Sequence, residues 1–204
     1  MSWQERAAVQ LENERVLLRR VTENDREAVR AVAMDASIWR YFVSLIETKA
    51  DFEAFFDAML ADEAAGTRVV YIVVDKSSGE VAGSMSYGNL SERDLRVEIG
   101  WSWLGVAFQG TGLNRHAKLL LLEQAFDTLG AERVEFKTDE LNGQARQGLL
   151  KIGAVPEGVF RSFNPMPGGR RRDAMYFSII RAEWPDTHAQ LRAATAALTE
   201  PSAT

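Results

Sequence analysis

The sequence contains no cysteine and only two histidines, His116 and His188, among its 204 residues. Without cysteine the chain can form no disulfide, no thiolate metal site and no acyl-cysteine intermediate. A structural zinc site or a multi-histidine catalytic metal site is also disfavoured. We therefore expect no metal centre, and we expect both histidines to lie on helix surfaces. The lack of cysteine is in keeping with a reducing compartment.

The chain also lacks an excess of positive charge and any long apolar segment. Lysine and arginine total 24 against 29 for aspartate and glutamate, which gives a formal net charge of -5. This balance provides no general attraction to nucleic acid or to an anionic membrane. No window approaches the roughly 18 apolar residues of a membrane span, and the first residues lack the apolar core of a signal peptide. We expect neither nucleic acid nor membrane as partner, and a cytoplasmic location.

Length and a hydrophobic content of 46% predict a single domain over 1–204, with a core at about 14–185 and a C-terminal helix and tail at 186–204. The order of the predicted elements indicates an α/β (α+β) fold, with a mixed sheet of about seven strands and helices on both faces. Periodicity and turn residues predict strands at 15–21, 69–74, 81–87, 95–103, 133–139, 158–163 and 174–181, and helices at 22–36, 49–65, 113–129, 142–153 and from 186 to a frayed end at 201–204.

The strand at 95–103 alternates in polarity. One predicted face carries the apolar residues Leu95, Val97, Ile99, Trp101 and Trp103. Glu98 shares the other face with small residues, at the middle of the strand. Glu98 is therefore our candidate general base, working directly or through a water. The alternative is an exposed glutamate that pairs with Arg96 or Arg93.

A glycine turn at 109–112 separates this strand from the next predicted helix. The first amides of a helix have no intrahelical partner, so the turn is a candidate anion site. Gly110 and Gly112 would let the backbone approach a diphosphate, and Arg115 adds a positive charge. The alternative is a tight turn that only begins the helix.

Two other phosphate motifs do not fit the turn. A P-loop requires Lys-Ser or Lys-Thr after its second glycine, whereas Leu113 and Asn114 follow Gly112. The dinucleotide fingerprint requires a third glycine or alanine where this chain has Arg115. Its strands also form a meander before the turn rather than a βαβ unit. A nucleotide-binding protein that uses the same turn remains a weaker alternative.

The segment Gln109-Gly110-Thr111-Gly112-Leu113-Asn114 resembles the pyrophosphate motif of the GNAT acyltransferases, with Asn114 a departure at its last position. Four further segments are similar to the same family. They are Glu98-Ile99-Gly100-Trp101 before the turn, the strand Arg133-Val134-Glu135-Phe136-Lys137-Thr138-Asp139, a helix led by Asn142 that ends Lys151-Ile152-Gly153, and a final strand that begins at Arg172. The resemblance spans about 14–185. It is greatest to the Rim-type branch, whose members acetylate ribosomal-protein N-termini.

The resemblance implies a mostly antiparallel sheet that is splayed where acetyl-CoA (coenzyme A) binds. It implies an N-acetyltransferase in which a primary amine, on a protein N-terminus or a small molecule, attacks the thioester directly. Many relatives are dimers, so a homodimer is a further expectation. The implied cofactor contacts, which include backbone donors around Trp103 and Leu104, are Trp103, Leu104, Gln109, Gly110, Thr111, Gly112, Leu113, Asn114, Arg115, Asn142 and Lys151.

The resemblance leaves the general acid open. Leu149 stands where many relatives carry a tyrosine, and Ala145 where some carry a serine. Either another hydroxyl serves, with Tyr176 as our candidate, or the thiolate leaves without help. An aromatic residue in a final strand is otherwise core packing. Asn142 completes the candidate catalytic set, and its alternative role is a helix N-cap.

We place the acceptor between the first two predicted helices and the loop at 165–172. The candidate contacts are Trp39, Tyr41, Phe42 and Arg172. The three aromatic residues would otherwise pack the corner between the helices. The basic run at 170–172 would otherwise be solvated. The absent tyrosine and serine keep a second function open, a non-catalytic CoA-binding or regulatory module.

Overall fold

A computed structural model describes residues 1–199. Its helices are α1 (Trp3–Ala7), α2 (Arg26–Ala33), α3 (Lys49–Ala65), α4 (Leu113–Glu123), α5 (Gly143–Lys151) and α6 (Trp184–Thr199). Its strands are β1 (Leu11–Glu12), β2 (Val16–Arg20), β3 (Arg68–Asp75), β4 (Val81–Ser91), β5 (Arg96–Leu104), β6 (Arg133–Asp139), β7 (Val155–Pro165) and β8 (Arg171–Ile180). A π-helical segment, Gln124–Leu129, continues α4. Within these residues, no helix has the length and apolar character needed to cross a membrane.

The eight strands form one sheet in the order β1-β2-β3-β4-β5-β6-β8-β7. All neighbours are antiparallel except β5 and β6, which are parallel. The predicted mixed, mostly antiparallel sheet is confirmed. Strand β1, which raises the number from about seven to eight, has two residues and is too short to show alternation.

Strand β3 shows that both faces of the sheet are covered. Alternate residues of a strand point to opposite faces. Val69, Tyr71 and Val73 belong to a core that includes residues of α1, α4 and α6. Val70 and Ile72 belong to a second core that includes residues of α2 and α3. The expected helices on both faces are therefore present, and the same strand is buried from both sides.

The expected alternation along β5 is wrong after its middle. Val97 and Ile99 lie in the core with α4, but Trp103 lies in the core with α2 and α3. Trp101 has a φ of 49° and forms a bulge, in which β5 has one residue more than β4. A bulge of one residue reverses the alternation that follows it. Trp101 is consequently 38% exposed, and Leu95 lies in the turn before the strand.

Strands β5 and β6 separate soon after they meet. Their register contains three residue pairs, which end at Glu98 and Glu135. Both strands continue beyond this point, β5 to Leu104 and β6 to Asp139. We call the gap between the two diverging segments the β5–β6 cleft. It interrupts the sheet near its centre, so that among residues 1–199 the peptide groups of β5 beyond Glu98 have no ladder partner in β6.

Some predicted boundaries differ from the structure. The helix at 22–36 is reduced to α2, with 3₁₀ turns at Glu23–Asp25 and Ala36–Trp39 on either side. The last hairpin is longer than predicted, because Pro165 pairs with Arg171 and leaves a connection of only five residues. A proline at the end of an edge strand can take part in the pairing, because the N–H that it lacks would face away from the neighbouring strand. The frayed end at 201–204 lies outside the described residues.

The expectation of two surface histidines is wrong for His116. Its side chain is 1% exposed on α4, because that helix is buried nearly all round. Burial lowers the pKa of His116, and Glu14 lies 3.5 Å from its Nδ1. His188 is half-buried on α6, where its Nε2 lies 2.8 Å from Glu123.

The close packing of β4 on β5 depends on Gly83. A Cβ at Gly83 would meet the carbonyl oxygen of Trp103 and would lie 2.8 Å from the Cα of Leu104. Gly83→Ala should therefore destabilise the protein by about 1–3 kcal/mol. Gly148→Ala on α5, where a Cβ meets nothing within 4 Å, should be neutral or stabilise by up to about 1 kcal/mol. Urea unfolding measures both, and wild-type stability of Gly83→Ala would contradict the packing described.

Candidate active site

The glycine turn before α4 is held by its own side chains. Gly110 and Gly112 have φ values of 75° and 90°, which favour glycine. The side-chain amide of Gln109 donates to the carbonyl of Leu104 at 3.0 Å. The hydroxyl of Thr111 donates to the carbonyl of Phe108 at 2.7 Å. These two side chains fix the turn from within, so the groups that it offers to a ligand are backbone groups.

Five consecutive amides of this turn are free. Within residues 1–199, no group accepts a hydrogen bond from the backbone N–H groups of residues 110–114. The next amide, that of Arg115, donates to the carbonyl of Gly112 at 2.9 Å. Unpaired amides at the start of a helix carry the positive end of its dipole. The turn can therefore bind an anion with several donors at once.

The other predicted cofactor contacts are spread around the turn. The guanidinium of Arg115 donates to the carbonyl of Ala194 at 3.1 Å and so ties α6 to α4. Trp103 and Leu104 lie at the end of β5, beside the cleft, with both side chains buried. Lys151 is exposed in the last turn of α5, a helix length of about 13 Å from Asn142.

Glu98 stands at the point where β5 and β6 separate. It is 4% exposed, and its Oε2 accepts a hydrogen bond from the side chain of Asn89 at 2.7 Å. The Nζ of Lys137 lies 3.5 Å from the same oxygen. Its Oε1 would lie 2.9 Å from a Cβ at Gly100, so the predicted small neighbour is required. The alternative of an exposed glutamate paired with Arg96 is wrong, since Arg96 pairs with Asp94 and Glu135.

Lys118 lies on the opposite face of the sheet from Glu98, and it was not among the site residues predicted from the sequence. It is 4% exposed on α4, and its Nζ donates to the hydroxyl of Ser102 at 2.8 Å. The Nζ also lies 5.3 Å from the ring centroid of Phe136 on β6. Burial lowers the pKa of Lys118 to about 7, and the nearby charge of Glu98 opposes this shift. A lysine inside the apolar run 117–122 was the signal available in the sequence.

The basic run at 170–172 contains three different environments. Arg170 forms an ion pair with the buried Asp139, and Arg171 bonds to Ser162. Arg172 is 8% exposed, and among residues 1–199 its guanidinium has no hydrogen-bond or ion-pair partner. Burial lowers the pKa of Arg172, whereas the charges of Asp139 and Glu98 raise it. The run is therefore not simply solvated, because the charge of Arg172 is buried without a hydrogen-bonded or ion-paired partner among the described residues.

Tyr176 lies among aromatic residues on the same face as Glu98. Its ring makes edge contacts with Phe160 at 4.8 Å and with Phe163 at 6.0 Å. Lys137 lies 5.8 Å from its ring centroid. Burial raises the pKa of Tyr176, and the charge of Glu98 adds to this effect. The tyrosine thus packs as an aromatic residue and keeps its hydroxyl proton firmly.

Trp39, one of the residues expected to contact the acceptor, is a core residue with almost no exposed surface. It is 1% exposed, and its indole N–H donates to the carbonyl of Ala33 at 2.7 Å. Its ring contacts Trp103 at 5.2 Å and Phe42 at 5.4 Å. Packing at the helix corner therefore explains Trp39. Phe42, by contrast, lines a cavity beside the bulge of β5, together with Val43, Ser44, Phe55, Met59, Arg68, Ser84, Trp101 and Trp103.

Tyr41, in the segment between α2 and α3, lies close enough to Arg170 of the β7–β8 loop to influence its charge. Its side chain is half-buried beneath the guanidinium of Arg40, 5.4 Å from the ring centroid. The ion pair with Asp139 raises the pKa of Arg170, and Tyr41 contributes to the same shift. The two segments between which the acceptor was expected therefore approach each other at this end of the sheet.

Asn142 is the N-cap of α5, because its Oδ1 accepts from the amide of Ala145 at 3.0 Å. Leu149 on the same helix is 8% exposed and packs into the core with α4. Neither position offers a hydroxyl to the cleft. Among the residues from 1 to 199, no group of three or more histidine, aspartate or glutamate side chains could hold a metal ion.

The geometry can be compared with known proteins. Residues 15–155 match the family model described as acetyltransferase (GNAT) domain. The N-acetyltransferase YoaA of Bacillus subtilis, itself uncharacterized, is 26% identical over 175 residues, which are 84% of this chain and 96% of that protein. YdaF of the same species, described as a candidate ribosomal N-acetyltransferase, is 30% identical over 106 residues. That match spans 52% of this chain and only 57% of YdaF.

A solved structure agrees over nearly the whole chain. The GCN5-related N-acetyltransferase from Brucella melitensis superposes with a TM-score of 0.88 at 25% sequence identity. The superposition covers 96% of this chain and 89% of the other. The family model covers well over half of the chain and includes the glycine turn, the cleft and α5. The chain therefore belongs to the GNAT family of acetyltransferases.

Proposed function

We propose that this protein, acting as a single domain, transfers an acetyl group from acetyl-CoA to a primary amine on a protein N-terminus or a small molecule. The observation that carries the proposal is the row of free amides at 110–114, which follows β5 where that strand has left β6. A diphosphate is the natural ligand for several convergent amides at a helix start. The name of the partly matched relative YdaF favours a protein N-terminus as acceptor.

The residues present fit acetyl-CoA. The amides of residues 110–114 would hold the diphosphate, and a backbone N–H around Trp103 and Leu104, on the side of β5 that faces the cleft, would hold the acyl carbonyl. Acetyl-CoA supplies an acetyl group that is already activated as a thioester. The chain itself then needs no nucleophile, which agrees with the absence of cysteine. Its tasks are to orient the two substrates and to move protons.

Glu98 takes the proton from the acceptor amine. Asn89 and Lys137 both contact Oε2, and no group within residues 1–199 donates to Oε1. The carboxylate is therefore held in one orientation with a free oxygen for a proton or a relaying water. Glu98 is the last residue of β5 that pairs with β6, so in this proposal the free oxygen serves a group bound in the cleft. These are the requirements for a general base.

Arg172 contacts the acceptor in this proposal. Burying a guanidinium without a hydrogen-bonding partner costs free energy. The position of Arg172 is therefore best explained by a ligand group that accepts its hydrogen bonds. The neighbouring carboxylates are already engaged, Asp139 by Arg170 and Glu98 by Lys137. The ligand group is a carbonyl or carboxylate oxygen close to the reacting amine. A peptide carbonyl meets this requirement, as does the carboxylate of a free amino acid.

A non-catalytic CoA-binding module is the second candidate. It is favoured by the side chains on α5, where Leu149 and Ala145 provide no proton donor. The two functions differ in one measurement. A binding module would retain acetyl-CoA unchanged in the presence of peptides and small amines, whereas an acetyltransferase would convert one of them to a product visible by mass spectrometry.

The first prediction concerns the amide row. Gly112→Asp should abolish acetyl-CoA binding in calorimetry, because it places a carboxylate where the diphosphate should lie. Gly130→Asp is the matched control, since Gly112 and Gly130 have similar φ values of 90° and 80° beside helix ends. The control variant should lose comparable stability but keep its affinity. Unchanged affinity in Gly112→Asp would remove the turn from the site.

The second prediction concerns proton removal. Glu98→Gln should keep acetyl-CoA affinity but lower turnover near neutral pH by about 100-fold or more, as expected for loss of a general base. Steady-state kinetics with the amine identified by the product screen measure this. Glu135→Gln is the control, because Glu135 is the register partner of Glu98 on β6. Equal turnover of wild type and Glu98→Gln would exclude Glu98 as the base.

The third prediction concerns the acceptor. Arg172→Gln should raise KM for the acceptor by about 10- to 100-fold. This factor corresponds to the free energy that a hydrogen bond to a charged group contributes. Affinity for acetyl-CoA should remain as in the wild type. Arg171→Gln, which alters an exposed arginine of the same strand, should leave KM unchanged. If KM responds equally to the two substitutions, Arg172 has no specific contact with the acceptor.

A further inference from the structure

The strongest unexplained feature is the buried ammonium of Lys118. It lies on the α4 side of the β5–β6 cleft, between the hydroxyl of Ser102 on β5 and the ring of Phe136 on β6. Ser102 comes after the bulge, and Phe136 is the first residue of β6 beyond the last register pair. Lys118 therefore spans the gap at the point where the two strands have just separated.

The ammonium of Lys118 is incompletely bonded. It has three N–H donors, and Ser102 accepts one of them. No other group within residues 1–199 accepts a hydrogen bond from its Nζ. Lysine is almost never fully buried without a partner. The two remaining donors therefore require a ligand group, and the cleft is where such a group would lie.

Glu98 and Lys118 are on opposite sides of the same gap. Glu98 shares its face with Lys137 and Tyr176, whereas Lys118 extends from α4 on the other face. Glu98 is the titratable group that acts on Lys118 from β5, and the residue that faces Lys118 from β6 is the uncharged Phe136. A group threaded between the strands would thus have a base on one side and a proton donor on the other.

We infer that Lys118 is the proton donor for the leaving sulfur, in the role for which α5 offers no hydroxyl. The inference rests on the proposed acetyl transfer. Lys118 gives one proton from its ammonium to the sulfur while the carbon–sulfur bond breaks and the nitrogen–carbon bond forms. The sulfur keeps the electron pair of the broken bond and leaves as a thiol. Glu98 takes the proton lost by the amine, so that charge and protons balance.

The protonation behaviour of Lys118 suits this role. Burial lowers its pKa to about 7, so the side chain can both hold and release a proton near neutral pH. An ordinary lysine would hold its proton too firmly. After each turnover, the neutral side chain of Lys118 can regain a proton from a solution near neutral pH, because its pKa is about 7.

The test uses coenzyme A itself and does not depend on turnover. An ammonium and a thiolate stabilise each other as an ion pair, so the proton stays on Lys118 when the sulfur ionises and the pKa of the bound thiol should fall by about one unit or more. The absorbance of the thiolate in the ultraviolet reports this titration. In the wild-type complex the thiol should deprotonate at lower pH than in free coenzyme A. Lys118→Met should abolish that difference, and Lys118→Arg should retain it.

Lys137→Met is the matched control, because Lys137 lies near the same cleft on the Glu98 face. This variant should titrate as the wild type does. Lys118→Met should fold, since it replaces a buried charge by an apolar chain of similar length. The comparison of bound with free coenzyme A in the wild type needs no variant at all.

The outcomes are distinct. If coenzyme A fails to bind the wild type in calorimetry, the proposed function fails. If it binds but its thiol titrates as in free solution, or equally in wild type and Lys118→Met, the role of Lys118 is overturned and the proposed function stands. A lowered thiol pKa that disappears only in Lys118→Met supports the inference.

Discussion

The candidate site depends on the short pairing between β5 and β6. Three residue pairs join these parallel strands before they separate, and the bulge at Trp101 follows immediately on β5. In the part of the chain that the structure describes, the separation leaves backbone groups without ladder partners, which in a continuous sheet would bond to a neighbouring strand. Charged side chains from both faces of the sheet also lie close to the β5–β6 cleft. Glu98 and Lys118 approach each other there even though they belong to different layers.

The bulge has a second effect, on the hydrophobic core. By reversing the alternation of β5, it directs Trp103 into the packing between α2 and α3, where it contacts Trp39. The same reversal turns Ser102 toward α4 and Lys118. The segment that leads to the glycine turn is thus anchored by a buried indole on one face. The turn itself is fixed by Gln109 and Thr111, which leaves its amides for a ligand.

Much of the fold followed from local patterns in the sequence. Strong apolar periodicity located α3, α4, β3 and β6. The fold family followed from the order and spacing of several motifs, each of which has low specificity alone. The bulge could not be predicted, because Trp101 looks like one more apolar residue in an alternating strand. The short strand β1 and the extension of the last hairpin depend on pairing partners distant in sequence. Periodicity cannot detect such pairing.

The candidate site was predicted less completely. The environment of Glu98 agrees with the expectation of a buried carboxylate beside small residues, whereas the part assigned to Trp39 is explained by the core. The assignments of cofactor contacts remain predictions. Lys118 was missed because an amphipathic helix normally places a lysine in water, and its burial arises from the packing of three separate elements. Asn142 fulfils its structural role as an N-cap whether or not it also meets a ligand.

Trp101 also links two positions that are distant in sequence. A Cβ at Gly88 would lie 2.6 Å from its Cη2, and the guanidinium of Arg68 stacks on the same ring at 4.9 Å. The indole therefore packs between the backbone of Gly88 and the guanidinium of Arg68. While Trp101 occupies the bulge, position 88 has room only for glycine. A side chain at 88 would displace the indole from Arg68, and because both residues line the adjoining cavity, its shape would change.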